Sequence, residues 1–146
     1  MAGTRSTARE RPARYSLRPI GVIRSTLKRP ARAPKQGDEG APDAWLEVFP
    51  FAKPALDGVL AGSRLVVITW LHRGRRDVLR VHPRDDRTRP LAGVFATRSQ
   101  DRPNPLGLHT VTVRRVRGNW LRIGPIEAID GTPVVDIKPV LEGSER

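Results

Sequence analysis

The sequence predicts an all-β chain, an antiparallel β-barrel closed or nearly closed, with a short helix at most. Three observations carry this. Short apolar or alternating segments recur along the chain with Gly, Pro, Asn or Asp between them. Almost no stretch spaces its apolar residues with helical periodicity. No GxGxxG opens a strand-to-helix turn, as a nucleotide-binding α/β domain would require.

The first strand is expected in YSLRPIGVIRS, interrupted by Pro19, and APKQGDEGAP reads as a loop of Pro, Gly and charge. AWLEVFP alternates Trp45, Glu47 and Phe49 against Leu46 and Val48, the period of a strand. FAKPALDGVLAG is expected to form one short helix ending at Gly62. RLVVITWLH, rich in β-branched residues with Thr69 as the polar member of its apolar run, reads as a central strand with His72 at its end. LAGVFAT and HTVTV supply two further strands. RVRGNWLRIG supplies a hairpin with Gly118 and Asn119 at a turn that needs positive φ, and TPVVDIKPV closes the series.

With 146 residues, 38% of them apolar, the chain has material for one compact core. The domain is expected over residues 15–142, between a basic disordered arm at 1–14 and a tail at 143–146. The absence of cysteine excludes disulfides, thiolate zinc sites and a cysteine nucleophile. Three histidines without clustered acids give no metal site worth proposing. No apolar run reaches the length of a membrane span and no signal-type stretch follows the arginine-rich start, so a cytoplasmic location is expected.

The net charge of +12 is uneven: residues 1–35 hold ten Lys or Arg against Glu10. Such an arm attracts phosphate and releases counterions on binding RNA or DNA. Arginine-rich coding is the competing explanation, because 23 of the 27 basic residues are Arg. A second basic run, Arg73, Arg75, Arg76, Arg80, Arg84, Arg87 and Arg89, is interspersed with Asp77, Asp85 and Asp86 and reads either as an RNA-facing patch or as a solvated face. Barrels that bind RNA display exposed aromatics, and three Trp, three Phe and one Tyr leave few to spare from the core.

The segment GVFATRSQDRPNPLGLHTV, Gly93 to Val111, interrupts the β pattern with charge and two prolines. Pro103 and Pro105 fix φ and bias Arg102 and Asn104 toward extended geometry, so a stiff loop presents those side chains. A crossover loop whose charges face water would look the same.

Taken together, GVFATRSQDRPNPLGL, IDGTPVVDIKP and APKQG, with WLH between them, resemble the signature segments of the TrmO family, also called TsaA-like or YaeB-like. The resemblance spans roughly Tyr15 to Leu141. It implies a homodimeric enzyme, built as a single-sheeted antiparallel β-barrel, that uses S-adenosyl-L-methionine to methylate N6 of threonylcarbamoyladenosine at position 37 of tRNA.

By the same resemblance, the cofactor-binding positions are Pro34, Lys35 and Gln36; His72 and Arg73; Arg98 and Leu108; and Asp130, Gly131, Thr132 and Pro133. Family members commonly carry Arg where Lys35 stands, and lysine keeps the charge without the planar fork. S-adenosylmethionine needs an acceptor for its ammonium, donors for its carboxylate and acceptors near its sulfonium. Asp130 suits the first or last need, Arg98 the second, and Gly131 would allow close backbone approach. Read alone, DGTP is an ordinary turn and His72 an edge histidine.

No catalytic residue is assigned, because methyl transfer from a sulfonium needs chiefly positioning and the N6 proton is acidified by the adjacent carbonyl. Arg102 and Asn104 are expected to orient the target base or its carbamoyl side chain, and Arg75 and Arg76 to bind tRNA phosphates. Position 37 lies in a loop, where a base is reached without opening a duplex. The sequence ends at Arg146 without the additional domain of longer family members, and the basic arm is expected to take over its hold on tRNA. Two rivals remain: a methyltransferase of this fold acting on another nucleic acid or a small molecule, and a non-catalytic RNA-binding barrel.

Overall fold

A computed structural model describes residues 13–29 and 40–141. Most of the basic arm, the Pro34-Lys35-Gln36 loop and the tail at 143–146 lie outside the described residues.

The strands are β1 (Gly21–Arg24), β2 (Ala44–Val48), β3 (Arg64–Trp70), β4 (Arg80–Val81), β5 (Ala92–Gly93), β6 (Leu106–Arg117), β7 (Trp120–Gly124) and β8 (Pro133–Pro139). Six of them close into one barrel in the order β1-β2-β7-β6-β3-β8, and each pairing is antiparallel. β4 and β5 form a separate small ribbon within the excursion from β3 to β6.

Alternation builds the core. Ala44, Leu46 and Val48 on β2, Leu65 and Val67 on β3, Val111 and Val113 on β6, and Leu121 and Ile123 on β7 all point inward and are buried. Burying each such Val, Leu or Ile contributes roughly 1.5–3 kcal/mol. Ile126 and Ala128, from the connection between β7 and β8, join the same cluster. Closure also removes the free edges that an open sheet would expose.

Several boundaries differ from the sequence reading. β1 starts only after Pro19, at Gly21. The helical segment is a 3-10 helix over Pro50–Leu56 that stops well short of Gly62; Pro54 inside it lacks the amide hydrogen an α-helical ladder would need. LAGVFAT yields just the two residues of β5 before Val94–Ala96 turn as a 3-10 helix, so it is no barrel strand. β6 outgrows HTVTV at both ends and runs into the hairpin. There Gly118 has φ +60, with Asn119 completing a two-residue connection. Trp45 and Trp120, expected to be needed in the core, sit half-buried on the outer face of β2 and β7, because Leu46 and Leu121 occupy the inward phase. Among the described residues, no helix is long and apolar enough to cross a membrane.

Candidate functional site

The signature segment is braced mostly by its own polar groups. Thr97 Oγ1 donates to the Val94 carbonyl and accepts from the Ser99 amide, and Ser99 Oγ accepts from the Asp101 amide. The Arg102 guanidinium donates to the carbonyls of Thr97 and Ser99, each at 3.0 Å. A base-orienting role for Arg102 would therefore be indirect, through the loop it shapes.

This loop is stitched to the turn after β3. The Arg102 amide donates to the Arg75 carbonyl, and the Arg75 amide donates to Asp101 Oδ1. Arg76 donates to the Pro103 carbonyl at 2.7 Å and to Asn104 Oδ1 at 3.1 Å, with its guanidinium 5.2 Å from the Trp70 ring centroid. Asn104 is exposed, so its orientation is set by Arg76 while its surface stays open. Arg75 instead pairs with Asp77 at 3.0 Å; the ion pair holds the Asp77 carboxyl below its usual range and raises the Arg75 guanidinium further. Part of the second basic run is neutralised in this way, with Arg89 near Asp86 as another instance.

The remaining candidates collect at the ends of three neighbouring strands. β3 lies between β6 and β8, with Trp70 opposite Leu106, Ile68 opposite Leu108 and Thr69 opposite Val134. His72 and Arg73 are exposed in the turn that leaves β3. Leu108 points outward from β6 and is 49% exposed. Asp130, Gly131, Thr132 and Pro133 lead into β8 on the other side of β3, about 10 Å from β6 across two strand spacings. Arg98 is exposed in the loop that feeds β6.

The Asp130 turn is tied to the exit of β1. The Asp130 amide donates to the Leu27 carbonyl and the Gly131 amide to that of Ile23. The Ser25 amide donates to Asp130 Oδ1 at 3.0 Å, and Lys28 Nζ lies 3.1 Å from Oδ2. The Ser25 hydrogen bond chiefly, helped by Lys28, holds the Asp130 carboxyl below the usual carboxylate range against a smaller opposing effect of burial. Gly131 has φ +84, and a Cβ there would meet nothing within 4 Å, so the need is conformational and the backbone stays open to a ligand. Thr132 is buried, its hydroxyl donating to the Ile129 carbonyl, and it serves the turn rather than the surface.

Sequence reasoning missed a buried polar array directly beneath these strand ends. Thr69 Oγ1 lies 2.7 Å from His109 Nε2, and His109 Nδ1 lies 2.5 Å from Glu127 Oε1. Gly107 makes room for it: a Cβ there would stand 2.6 Å from Thr69 Oγ1 and 2.8 Å from His109 Nε2. The signal was present in part. Thr69 shares the phase of Leu65 and Val67, and His109 that of Val111 and Val113, so period two places both inside. Glu127 lies in a connection without periodicity and gave none.

A closed antiparallel barrel carrying a braced Arg-Pro-Asn-Pro loop and an Asp-Gly turn at adjacent strand ends defines a class apart from doubly wound nucleotide-binding folds. The model of the tRNA-methyltransferase O N-terminal domain matches residues 22–145, and the chain belongs to that family. A Methanothermobacter thermautotrophicus protein described as a probable S-adenosyl-L-methionine-binding protein is 43% identical over 126 residues, 86% of this chain and 90% of its own length. An Archaeoglobus fulgidus S-adenosyl-L-methionine-binding protein is 37% identical over 122 residues, 84% of this chain and 86% of its own. The crystal structure of TrmO from Pseudomonas aeruginosa superimposes with a TM-score of 0.70 at 30% identity, covering 88% of this chain; the present chain spans 57% of that one.

Proposed function

We propose that this protein is an S-adenosyl-L-methionine-dependent methyltransferase that methylates N6 of threonylcarbamoyladenosine at position 37 of tRNA, as a cytoplasmic homodimer. The observation that carries the reading is the collection of His72-Arg73, Leu108 and Asp130-Pro133 at the ends of β3, β6 and β8. Family membership and the descriptions of the relatives support the cofactor.

The residues present fit that ligand. Asp130 is held ionised, and each of its oxygens retains a lone pair beyond those used by Ser25 and Lys28, available to an ammonium or a sulfonium. The open backbone at Gly131 and the apolar surface of Leu106 and Leu108 suit the uncharged parts. When bound, the cofactor supplies a methyl group already activated by the adjacent sulfonium. The protein's share is then positioning: the rigid Arg102–Pro105 loop holds Asn104 where it can meet the target base, and His72, Arg73 and Arg98 offer donors to anionic groups.

Leu108 faces outward, and Leu106 beside it is 41% exposed. An apolar pair next to the candidate ligand residues is best covered by a second subunit, which supports the dimer.

The test is transfer of label from S-adenosylmethionine to tRNA that carries or lacks threonylcarbamoyl at position 37, followed by identification of the labelled nucleoside. Label confined to N6 of the modified adenosine is the expected result. Label on another nucleic acid or small molecule would replace the substrate, and cofactor binding with no transfer to any substrate would leave a non-catalytic barrel.

A further inference from the structure

The barrel presents a second chemically distinct surface on the side away from β3 and β8. On the outer face of β1, β2, β7 and β6, cross-strand register sets Arg24, Trp45, Arg122 and Arg115 in one row, and Val22, Glu47, Trp120 and Arg117 in the next. The two indoles meet edge to face, with centroids 6.3 Å apart. Arg122 and Arg117 stand over the Trp45 ring at 5.6 and 6.0 Å. Trp45, Trp120 and Arg117 line an open hollow of about 250 Å³.

The charge on this face is not self-compensated. Glu47 pairs with Arg24 at 3.3 Å, whereas among the described residues no carboxylate pairs with Arg115, Arg117 or Arg122. Arg115 and Arg122 are direct cross-strand partners, an arrangement that like charges make unfavourable and that a bound anion would relieve. Flat aromatic faces among unpaired guanidiniums match one kind of ligand: a polyanion whose ring faces are uncovered. A duplex offers the phosphates but buries its base faces, and an acidic peptide offers charge without rings.

We infer that the outer face of β1, β2, β7 and β6 binds single-stranded RNA, with nucleobases stacked on Trp45 and Trp120 and phosphates held by Arg115, Arg117 and Arg122. This extends the tRNA reading above by adding a grip remote from the reacting base, and it rests on that reading only for the identity of the RNA.

The test is titration of the full chain with a short mixed-sequence single-stranded RNA, the same RNA annealed to its complement, and polyglutamate, followed by fluorescence anisotropy and tryptophan quenching. The single strand is expected to bind at least tenfold tighter than the duplex, with quenching. Trp45→Leu and Trp120→Leu are each expected to weaken it about tenfold, and Trp120→Phe to recover most of the loss. Replacing Arg115, Arg117 and Arg122 by Gln, which leaves the indoles in place, should lower the logarithmic salt slope by roughly 2, about 0.7 for each phosphate no longer neutralised. Affinities within twofold of the parent in the Trp and Gln variants, or equal binding of duplex or polyglutamate, would overturn the inference. Calorimetry with S-adenosylmethionine on the same variants separates the two readings: loss of RNA binding with cofactor binding intact supports this face, while a parent protein that takes RNA here but no cofactor sinks the methyltransferase reading alone.

Discussion

His109 reaches across the barrel end to Glu127, Nδ1 to Oε1 at 2.5 Å, and so fastens the β7–β8 connection to β6. Because a carboxylate only accepts, the proton of this contact belongs to Nδ1. In the neutral ring Nε2 then accepts from the Thr69 hydroxyl. The same connection continues into Asp130, so the array positions the candidate binding turn.

Removing Thr69 deprives the buried His109 Nε2 of its partner, and removing His109 deprives the buried Thr69 hydroxyl of its own, while the His109–Glu127 contact survives only the first change. Thr69→Val, nearly isosteric, is expected to cost about 1–3 kcal/mol, and His109→Leu at least as much. The double variant should cost less than the sum, since the partner removed in one is already missing in the other. Urea unfolding of the four proteins checks this, and strict additivity would mean that the hydroxyl and imidazole are not coupled.

Arg76 is a fastener of the signature loop. Arg76→Ala removes its bonds to Pro103 and Asn104 and its stacking near Trp70. Amide exchange at Asp101, Arg102 and Asn104 is expected to accelerate several-fold, and tRNA affinity to fall. Arg75→Glu, which leaves the backbone stitching in place, should weaken tRNA binding and flatten its salt dependence without that acceleration. Equal exchange in both variants would refute the division of labour.

The Asp130 carboxyl titrates below its ordinary value in the folded chain, principally through the Ser25 amide. A carboxyl with a depressed folded pKa contributes stability that is complete above the unfolded value and is lost as pH falls through the folded one. Asp130→Asn should therefore be less stable than the parent at neutral pH, and the gap should narrow below about pH 4. Denaturation series from neutral to strongly acidic pH measure it; a gap independent of pH would assign the loss to geometry alone.

Leu106 and Leu108 form an exposed apolar pair at the start of β6. Leu108→Asp is expected to shift sedimentation toward the monomer and to weaken S-adenosylmethionine binding together, because one surface serves both in the proposed dimer. Unchanged mass with weakened binding would confine Leu108 to a ligand contact.

The barrel was legible because strand-like segments recur between turn residues: AWLEV alternates, RLVVITW is a β-branched apolar run, and Gly118 marks the hairpin into WLRIG. Alternation fixes phase but not length. LAGVFAT carried strand-forming residues, yet it lies in the excursion where β5 finds just β4 to pair with, and it turns after two residues. The helix after β2 was misjudged in extent because Pro54 acts through a hydrogen bond it cannot make.

The sequence by itself determined the fold class, the phase of each long strand and the segments that form the candidate site, because these depend on local periodicity and on residue types. Tertiary structure alone decided which side chains of those segments engage one another. Arg102 and Arg76 turned inward to brace the loop, Thr69, His109 and Glu127 met across three separate elements, and Trp45 and Trp120 were left outside among arginines. The reason is physical: a hydrogen bond or a ring contact depends on distance in space, and register between strands far apart in the chain sets that distance.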